Sequence, residues 1–287
     1  MSLSNLHGRV LEYIIVDRLQ KNLPQKIIFT NRTIENNIRD KEKISLINRD
    51  LLNHFENSSN FIVDWLSNQF HNTKPISVDR LSDTDGKNGD VTDIKLFNDE
   101  YELNLSIKNN HLATKHQRPG PTPKHLGFSL KDEEFKQFKK LYTNINNSFY
   151  CKSKNIKPQV SLYSEVEEIK FQHLYNPICN LVSDFLNRHS DRSDYYQSFL
   201  LGIVRFKKIV VFKDRIEIFS YDNIPKSIKM NSYVENDNYV KVDFNNNIVL
   251  SMRLHTASSR LSKTGSLKFD TQIEKLDVPK EILFLKG

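Results

Sequence analysis

Apolar residues recur at helical spacing through the N-terminal part of the chain. Residues 6–21 predict a helix, and Pro24 follows where that helix should stop. Two further amphipathic helices are predicted, one over residues 47–55 and one over residues 61–70. Trp65 lies on the apolar face of the second of these, so we expect it in the core.

Helical spacing returns in the middle of the chain, whereas the C-terminal part alternates between apolar and polar positions. The middle predicts helices around residues 135–145, 174–186 and 199–204, which should cover a sheet. The C-terminal part predicts strands that flank tight turns. These strands span residues 209–213, 215–221, 239–244, 248–254 and 266–273.

A β-hairpin is predicted from two short alternating runs, residues 91–97 and 103–108, which are joined by turn-forming residues. With a two-residue loop, Asp93 lies directly opposite Ser106. Lys108 then becomes its diagonal neighbour on the same face, roughly 7–8 Å away between backbones. A slip of one residue would place the two side chains on opposite faces.

Asp93 and Lys108 are side chains of the kinds that phosphodiester hydrolysis requires. A carboxylate can hold a divalent cation, and an ammonium group can orient a water or neutralise phosphate charge. The alternative is an exposed hairpin with ordinary surface charges, and this one pair does not exclude it.

Two longer blocks of sequence narrow the interpretation. The first contains GDVTDI at residues 89–94, LSIKNNH at 105–111 and KHQRP at 115–119. The second contains MRLHTASSR at residues 252–260 and SLKFD at 266–270. Together the blocks closely resemble the HaeIII family of type II restriction endonucleases, members of the PD-(D/E)xK nuclease superfamily.

The resemblance implies a target, a partner and a cofactor. It implies cleavage of double-stranded DNA at the palindrome GGCC with Mg²⁺, and a cognate DNA methyltransferase that protects the host. A palindrome suits a symmetric homodimer, although a monomer that cuts one strand at a time is the alternative.

Ser106 departs from the superfamily pattern, which has a carboxylate two residues before the lysine. A hydroxyl is a poorer ligand for a hard cation than a carboxylate, so another acidic group should contribute. Glu102 is too far, roughly 13 Å away along the strand. Asp90 is a candidate if the turn at Gly89 re-aims its side chain. Glu12 is the other candidate, because superfamily members often bring an acidic residue from the first helix; otherwise it is a helix-edge charge.

Two basic segments are predicted to contact DNA. Residues 109–128 can follow a phosphate backbone, and the prolines at 119–123 should exclude regular structure there. Residues 253–260 lie near a strand end, where arginine could read guanine edges. The alternatives are a solvated loop and side chains that brace the fold. The predicted contact residues are Lys115, His116, Arg118, Lys124, His125, Arg253, His255, Ser258, Ser259 and Arg260.

Composition agrees with a polyanionic partner. Lys and Arg number 42 against 35 Asp and Glu, which gives a net charge of +7 and a pI near 9.1. Cys151 and Cys179 form no CxxC pair, so neither a disulfide framework nor a zinc knuckle is indicated. No apolar run approaches the roughly 18 residues of a membrane span, so we expect a soluble, cytoplasmic protein without a membrane partner.

The predicted fold class is α/β, with a restriction-endonuclease-like central mixed sheet flanked by helices and an N-terminal helical segment. Residues 1–287 are expected to form a single nuclease domain. Within it, residues 1–75 are mainly helical, 76–130 hold the catalytic hairpin and basic loop, 131–205 are helical, and 206–287 are strand-rich with the DNA-reading segment.

The predicted activity is Mg²⁺-dependent, sequence-specific hydrolysis of double-stranded DNA. Asp93 would hold the metal with Asp90 or Glu12, while Lys108 and Ser106 complete the catalytic site. Two alternatives remain, a DNA-binding protein that keeps the fold without catalysis and a repair-type nuclease of the same superfamily.

Overall fold

The computed structural model describes residues 3–24, 26–70, 74–81, 91–110, 115–202, 205–222, 224–276 and 278–285. The chain divides into two compact units, each assembled from segments distant in sequence. Unit 1 comprises Met1–Leu112, Gly202–Ile224 and Val278–Gly287, and unit 2 comprises Ala113–Leu201 and Pro225–Asp277. That residues 1–287 act as one nuclease domain stays a prediction.

The α-helices of the described residues are α1 (Leu3–Asn22), α2 (Asn31–Lys41), α3 (Arg49–Gln69), α4 (Thr122–His125), α5 (Glu133–Ile156), α6 (Glu167–Lys170), α7 (Asn176–Arg188) and α8 (Ser193–Leu201). The strands are β1 (Ile27–Phe29), β2 (Ile76–Arg80), β3 (Ile94–Phe97), β4 (Glu102–Asn109), β5 (Lys115–Gln117), β6 (Lys207–Val211), β7 (Arg215–Ser220), β8 (Met230–Glu235), β9 (Tyr239–Phe244), β10 (Ile248–Thr256), β11 (Leu267–Lys275) and β12 (Lys280–Phe284). A π-helical turn, Phe171–Tyr175, leads into α7, and short 3₁₀ turns span Glu42–Leu46, Tyr163–Val166 and Ser190–Arg192.

Unit 1 is built on a seven-stranded mixed sheet in the order β1-β2-β3-β4-β6-β7-β12. The pairs β1–β2 and β4–β6 are parallel, and the others are antiparallel. Helices α1 and α3 contribute most of the helical side of its apolar core. Trp65 is buried in that core, as predicted, and its indole N–H donates to Glu281 Oε2 at 3.0 Å. The predicted α/β class with a central mixed sheet is therefore confirmed.

The helix predicted at residues 6–21 is confirmed as α1. Residues 49–55 and 61–69 are helical as predicted, but their division into two helices is wrong. They form one continuous helix, α3, which begins where Asn48 Oδ1 accepts from the N–H of Leu51 at 2.8 Å. The polar residues between the two apolar runs suggested a break. Ser58 and Ser59 lie instead within the helix and are fully buried.

The predicted hairpin register is confirmed. Phe97 pairs with Glu102, and the N–H of Asn98 donates to the carbonyl of Tyr101 at 2.9 Å, so the loop has two residues. The same register, continued past the paired residues, sets position 93 opposite Ser106.

Unit 2 contains a five-stranded antiparallel sheet in the order β5-β11-β10-β9-β8, with α7 packed against β8 and β9. The sequence predicted β9, β10 and β11, but it did not predict a second sheet. It was also wrong to exclude regular structure from the proline-rich segment. Residues before the prolines pair with β11, and Pro123 fits the first turn of α4, where its missing N–H costs nothing.

None of the helices in the described ranges combines the length and apolar character that a bilayer span needs.

Candidate functional site

The backbone around Asp93 ties together the strands that carry the candidate active site. Asp93 lies directly before β3, and its N–H donates to the carbonyl of Leu105 in β4 at 2.7 Å. Its carbonyl accepts from the N–H of Leu81, just after β2, at 3.0 Å. Because the main chain is bonded on both sides, the side chain projects from a fixed position.

Three donors from β4 converge on one oxygen of the Asp93 carboxylate. Oδ2 lies 2.6 Å from the backbone nitrogen of Ile107, 3.0 Å from Lys108 Nζ and 3.3 Å from Ser106 Oγ. The side chains of Asp93 and Lys108 are 24% and 29% exposed, so the pair is accessible. The sequence predicted that Asp93 and Lys108 meet across the hairpin, and the structure shows this contact.

Glu12 is a second carboxylate at this site. It lies on α1, is 6% exposed, and its Oε2 is 3.0 Å from Arg80 Nη2 and 3.4 Å from Arg9 Nη1. Burial and the negative charge of Asp93 raise the pKa of Glu12, while Arg80 and Arg9 oppose that rise. Glu12 is therefore a buried carboxylate that interacts electrostatically with Asp93, and it is not a solvated charge at the edge of the helix.

Arg80, at the end of β2, fixes the helices around Glu12. Its side chain is fully buried, and besides Glu12 it bonds Asp40 Oδ2 at 2.8 Å and Asn37 Oδ1 at 3.0 Å, both on α2. Burial opposes ionisation of Asp40, but hydrogen bonds from Arg39 and Lys43 and the charge of Arg80 outweigh it and lower the pKa of Asp40 to about 2. One guanidinium thus connects α1, α2 and β2.

Lys208 is a residue that the sequence analysis missed. It lies on β6 directly opposite Ser106 in the parallel β4–β6 pairing, and it is 3% exposed. Burial, together with the positive charge of Lys108, lowers the pKa of Lys208 to about 7. The available signal was a lysine placed immediately before a run of buried apolar residues, Ile209–Val211, where charge is unusual.

The residues present fit a divalent cation that prefers oxygen ligands. Asp93 and Glu12 offer carboxylates whose mutual repulsion a cation would relieve. Asp90, the other predicted ligand, lies outside the described residues. Among the residues that the structure describes, no group of three or more His, Cys, Asp and Glu side chains could hold a metal. The described part of the site therefore offers two carboxylates, and the position two residues before Lys108 is occupied by the hydroxyl of Ser106.

Lys115 and His125, predicted to contact DNA, pack on one phenyl ring within unit 2. Lys115 Nζ donates to the carbonyl of Phe199 at 2.7 Å and lies 3.9 Å from its ring centroid. Burial lowers the pKa of Lys115 to about 8. The His125 ring stacks on Phe199 at 3.5 Å, and burial, with Lys115 and Lys124, lowers the pKa of His125 to about 3. His125 is therefore neutral near pH 7.

Three other predicted DNA-contacting residues meet on one carboxylate. His116, Arg253 and His255 surround Asp270, which lies on β11 between β5 and β10. Asp270 ends the SLKFD block, but no role was predicted for it from the sequence.

The remaining predicted contact residues in unit 2 are exposed. Arg118 directly follows β5, and the N–H of Arg260 donates to Ser258 Oγ at 3.2 Å. This group comprises Arg118, Lys124, Ser258, Ser259 and Arg260.

A model of the HaeIII restriction endonuclease family matches residues 8–236 of the chain. The matched span begins within α1 and contains Glu12, Lys208 and the hairpin between them, whereas β9, β10 and β11 lie beyond it. Neither the curated proteins nor the solved structures compared with the chain gave a match.

Proposed function

The chain belongs to the HaeIII restriction endonuclease family, and from that premise we propose that unit 1 hydrolyses phosphodiester bonds with a bound Mg²⁺ ion. Family membership makes the protein a sequence-specific endonuclease of type II that binds double-stranded DNA. The bound metal, the roles of the catalytic residues and the target sequence go beyond family membership and are our proposals.

This proposal depends on two neighbouring pairs of like-charged side chains. The carboxylates of Glu12 and Asp93 form one pair, and the amines of Lys108 and Lys208 form the other. Burial and Asp93 raise the pKa of Glu12, and burial and Lys108 lower the pKa of Lys208 to about 7. The ion pair between Lys108 and Asp93, at 3.0 Å, joins the acidic pair to the basic pair. A divalent cation at the carboxylates and a phosphate at the ammonium groups would relieve both repulsions.

Each residue then has a distinct role. Bound Mg²⁺ would supply a water of lowered pKa and would stabilise charge on the scissile phosphate. Asp93 and Glu12 would hold the ion, while the donors of Ser106 and Ile107 orient the Asp93 carboxylate. Lys108 would position the attacking water or neutralise the phosphate. Asp93 and Lys108 would thus be the acid and the lysine of a PD-(D/E)xK site.

Lys208 would add a second positive charge on the phosphate side of the site. Its position opposite Ser106, next to Lys108, supports that role. Asp90 remains a further candidate ligand from the sequence alone.

The proposed target is GGCC, as the family resemblance implies. A palindrome suits a two-fold symmetric homodimer, and a cognate methyltransferase would protect host DNA from the cut.

Digestion of a sequenced plasmid, with Mg²⁺ and with EDTA, tests the proposal. We expect discrete fragments with Mg²⁺, ends that map to GGCC, and no cutting with EDTA. Asp93→Ala and Lys108→Ala should each lower the cleavage rate by about 10²-fold or more, because each removes charge stabilisation at the reacting phosphate.

Lys95→Ala is the matched control. Lys95 lies on the same hairpin but pairs with Glu102, at 2.8 Å, away from Asp93, so this variant should cut like the wild type. A smear or nicks without defined ends would indicate a repair-type nuclease. Specific binding without cutting under any metal would indicate a DNA-binding protein that lacks catalysis.

A further inference from the structure

Four basic side chains surround one carboxylate on the polar face of the unit 2 sheet. In the strand register, His116 of β5 pairs with Asp270 of β11, Asp270 pairs with Arg253 of β10, and His255 pairs with Lys268. Directly opposite residues, and residues two apart on one strand, project from the same face. All five side chains therefore share that face.

The Asp270 carboxylate contacts each of these neighbours. Oδ1 pairs with His116 Nδ1 and lies 3.9 Å from Lys268 Nζ, while Oδ2 lies 2.9 Å from His255 Nε2 and 3.4 Å from Arg253 Nη2. Burial opposes ionisation of Asp270, but His116 and His255 outweigh it and hold its pKa well below the usual range. Asp270 is therefore a permanent anion among an excess of basic groups.

His255 contacts both its own strand and Asp270. Nδ1 lies 3.1 Å from the carbonyl oxygen of Thr256 in β10, and Nε2 lies 2.9 Å from Asp270 Oδ2 in β11. The ring is therefore held between the two strands.

Arg253 has donors left over for a ligand. Its side chain is 52% exposed, and the described contact with Asp270 uses one of its five N–H groups. The contact with Asp270 orients the Arg253 guanidinium and leaves its other side exposed to solvent. The guanidinium can therefore present the other donors to a phosphate or to the O6 and N7 acceptors of guanine.

We infer that Asp270 is a positioning residue that holds Arg253, His116 and His255 together as one DNA-binding cluster on unit 2. The inference rests on the proposed function, which makes duplex DNA the ligand. Asp270, Arg253 and His255 lie beyond the span that the family model matches, because β10 and β11 follow residue 236, whereas His116 lies within it.

Charge counting and positioning predict opposite effects of removing Asp270. If the cluster acted only through net charge, loss of an anion would tighten binding to any DNA. If Asp270 positions the basic groups, its loss disorders them, and the preference for the specific duplex falls even though net charge rises.

Fluorescence anisotropy of the full-length chain in EDTA, with a GGCC duplex and a scrambled duplex, measures this preference without cleavage. Should the plasmid digest map a different target, that sequence replaces GGCC. Asp270→Asn should reduce the ratio of the two affinities by about tenfold, the scale of one good arginine–guanine contact. Asp270→Glu, which keeps the charge, should restore part of the ratio.

Asp243→Asn is the matched control, because Asp243 is an exposed carboxylate on the same face of the sheet, paired with Val249. It should leave the ratio unchanged. Thermal melting establishes that each variant is folded.

The inference is overturned if Asp270→Asn tightens both duplexes equally, if it leaves the ratio unchanged, or if the wild type does not discriminate between the duplexes. A wild type that discriminates but never cuts would sink the proposed catalysis and leave this cluster intact. If the wild type cuts at one sequence and Asp270→Asn discriminates between the duplexes normally, the proposed catalysis stands and the proposed role of Asp270 is wrong.

Discussion

At the scale of single residues, the pKa shifts of Glu12 and Lys208 indicate the ligands of the site, a cation near Glu12 and a phosphate near Lys208. Glu12 has a raised pKa and Lys208 a lowered one, so in each case burial and a like-charged neighbour favour the neutral form. Groups arranged this way destabilise the protein in the absence of a ligand. Function is then the natural reason for their presence, and each can be tested by removing its charge.

Glu12→Gln should separate metal binding from folding. The amide keeps the shape and can still accept a bond from Arg80, so we expect stability to change by less than about 1 kcal/mol. Because the raised pKa makes ionised Glu12 unfavourable in the folded state, wild-type stability falls as the pH rises through that pKa, and the variant lacks this fall.

The measurements for Glu12→Gln are plasmid cleavage and the rise in Tm that Mg²⁺ produces without DNA. Cleavage should drop by about 10²-fold or more, and the Mg²⁺-induced rise should shrink. Equal losses of stability and activity, with the Mg²⁺ effect unchanged, would show that Glu12 only pairs with Arg80.

Lys208→Met should stabilise the protein and slow cleavage. The pKa of Lys208 is about 7 in the folded chain against 10.5 ordinarily, so between these values the unfolded chain binds the extra proton and stability rises with pH. Removing the amine should abolish that slope and add on the order of a few kcal/mol near pH 7.

Chemical denaturation from about pH 7 to about pH 10, beside plasmid cleavage, tests Lys208→Met. Lys207→Met is the matched control, since Lys207 Nζ bonds Ser220 Oγ at 2.6 Å and Asp222 Oδ2 at 2.8 Å instead of lying beside Lys108. A Lys208→Met variant that cuts at the wild-type rate contradicts a role on the phosphate side.

At the scale of elements, the buried guanidinium of Arg80 links β2 to α1 through Glu12 and to α2 through Asp40. Arg80→Met would leave Glu12 and Asp40 buried without their shared partner, and breaking a buried pair in this way costs about 3–5 kcal/mol. Cleavage should fall as well, because Glu12 loses its anchor.

Arg32→Met is the control for the Arg80 experiment. Arg32 also reaches from α2 to a β2 carboxylate, with Nε 3.0 Å from Asp79 Oδ1, but its side chain is 40% exposed. A half-exposed pair should cost only about 1 kcal/mol or less. Similar losses of Tm for the two variants would mean that burial of Arg80 does not set its contribution.

What the sequence could predict at this scale follows from how local each signal is. Alternation and a two-residue loop fix the hairpin within a few residues, so the meeting of Asp93 and Lys108 was accessible. The continuity of α3 could not be predicted locally, because the burial of Ser58 and Ser59 in its middle depends on the elements that pack against them. The meeting of His116 with Asp270 was also hidden, because it needs a strand pairing across 154 positions of sequence.

At the scale of the whole molecule, the net charge of +7 gives a measurable expectation for DNA binding. Each phosphate that the protein neutralises releases counterions, so log K falls against log salt with a slope of about −0.9 per contact. The charge does not say which residues make those contacts. Arg118 and Arg260 are exposed candidates, and Arg253 is held by Asp270.

Salt titrations of anisotropy distinguish phosphate contacts from base contacts. Arg118→Ala should weaken the GGCC and scrambled duplexes alike and make the slope less negative by about 0.9, because a guanidinium on a phosphate carries no sequence information. Arg253→Ala should instead weaken the GGCC duplex by about 1–3 kcal/mol with little change on the scrambled one, if its donors meet guanine. The reversed pattern would place Arg253 on the backbone. Asp270 would then orient a phosphate clamp, and the preference for one sequence would have to come from residues other than this cluster.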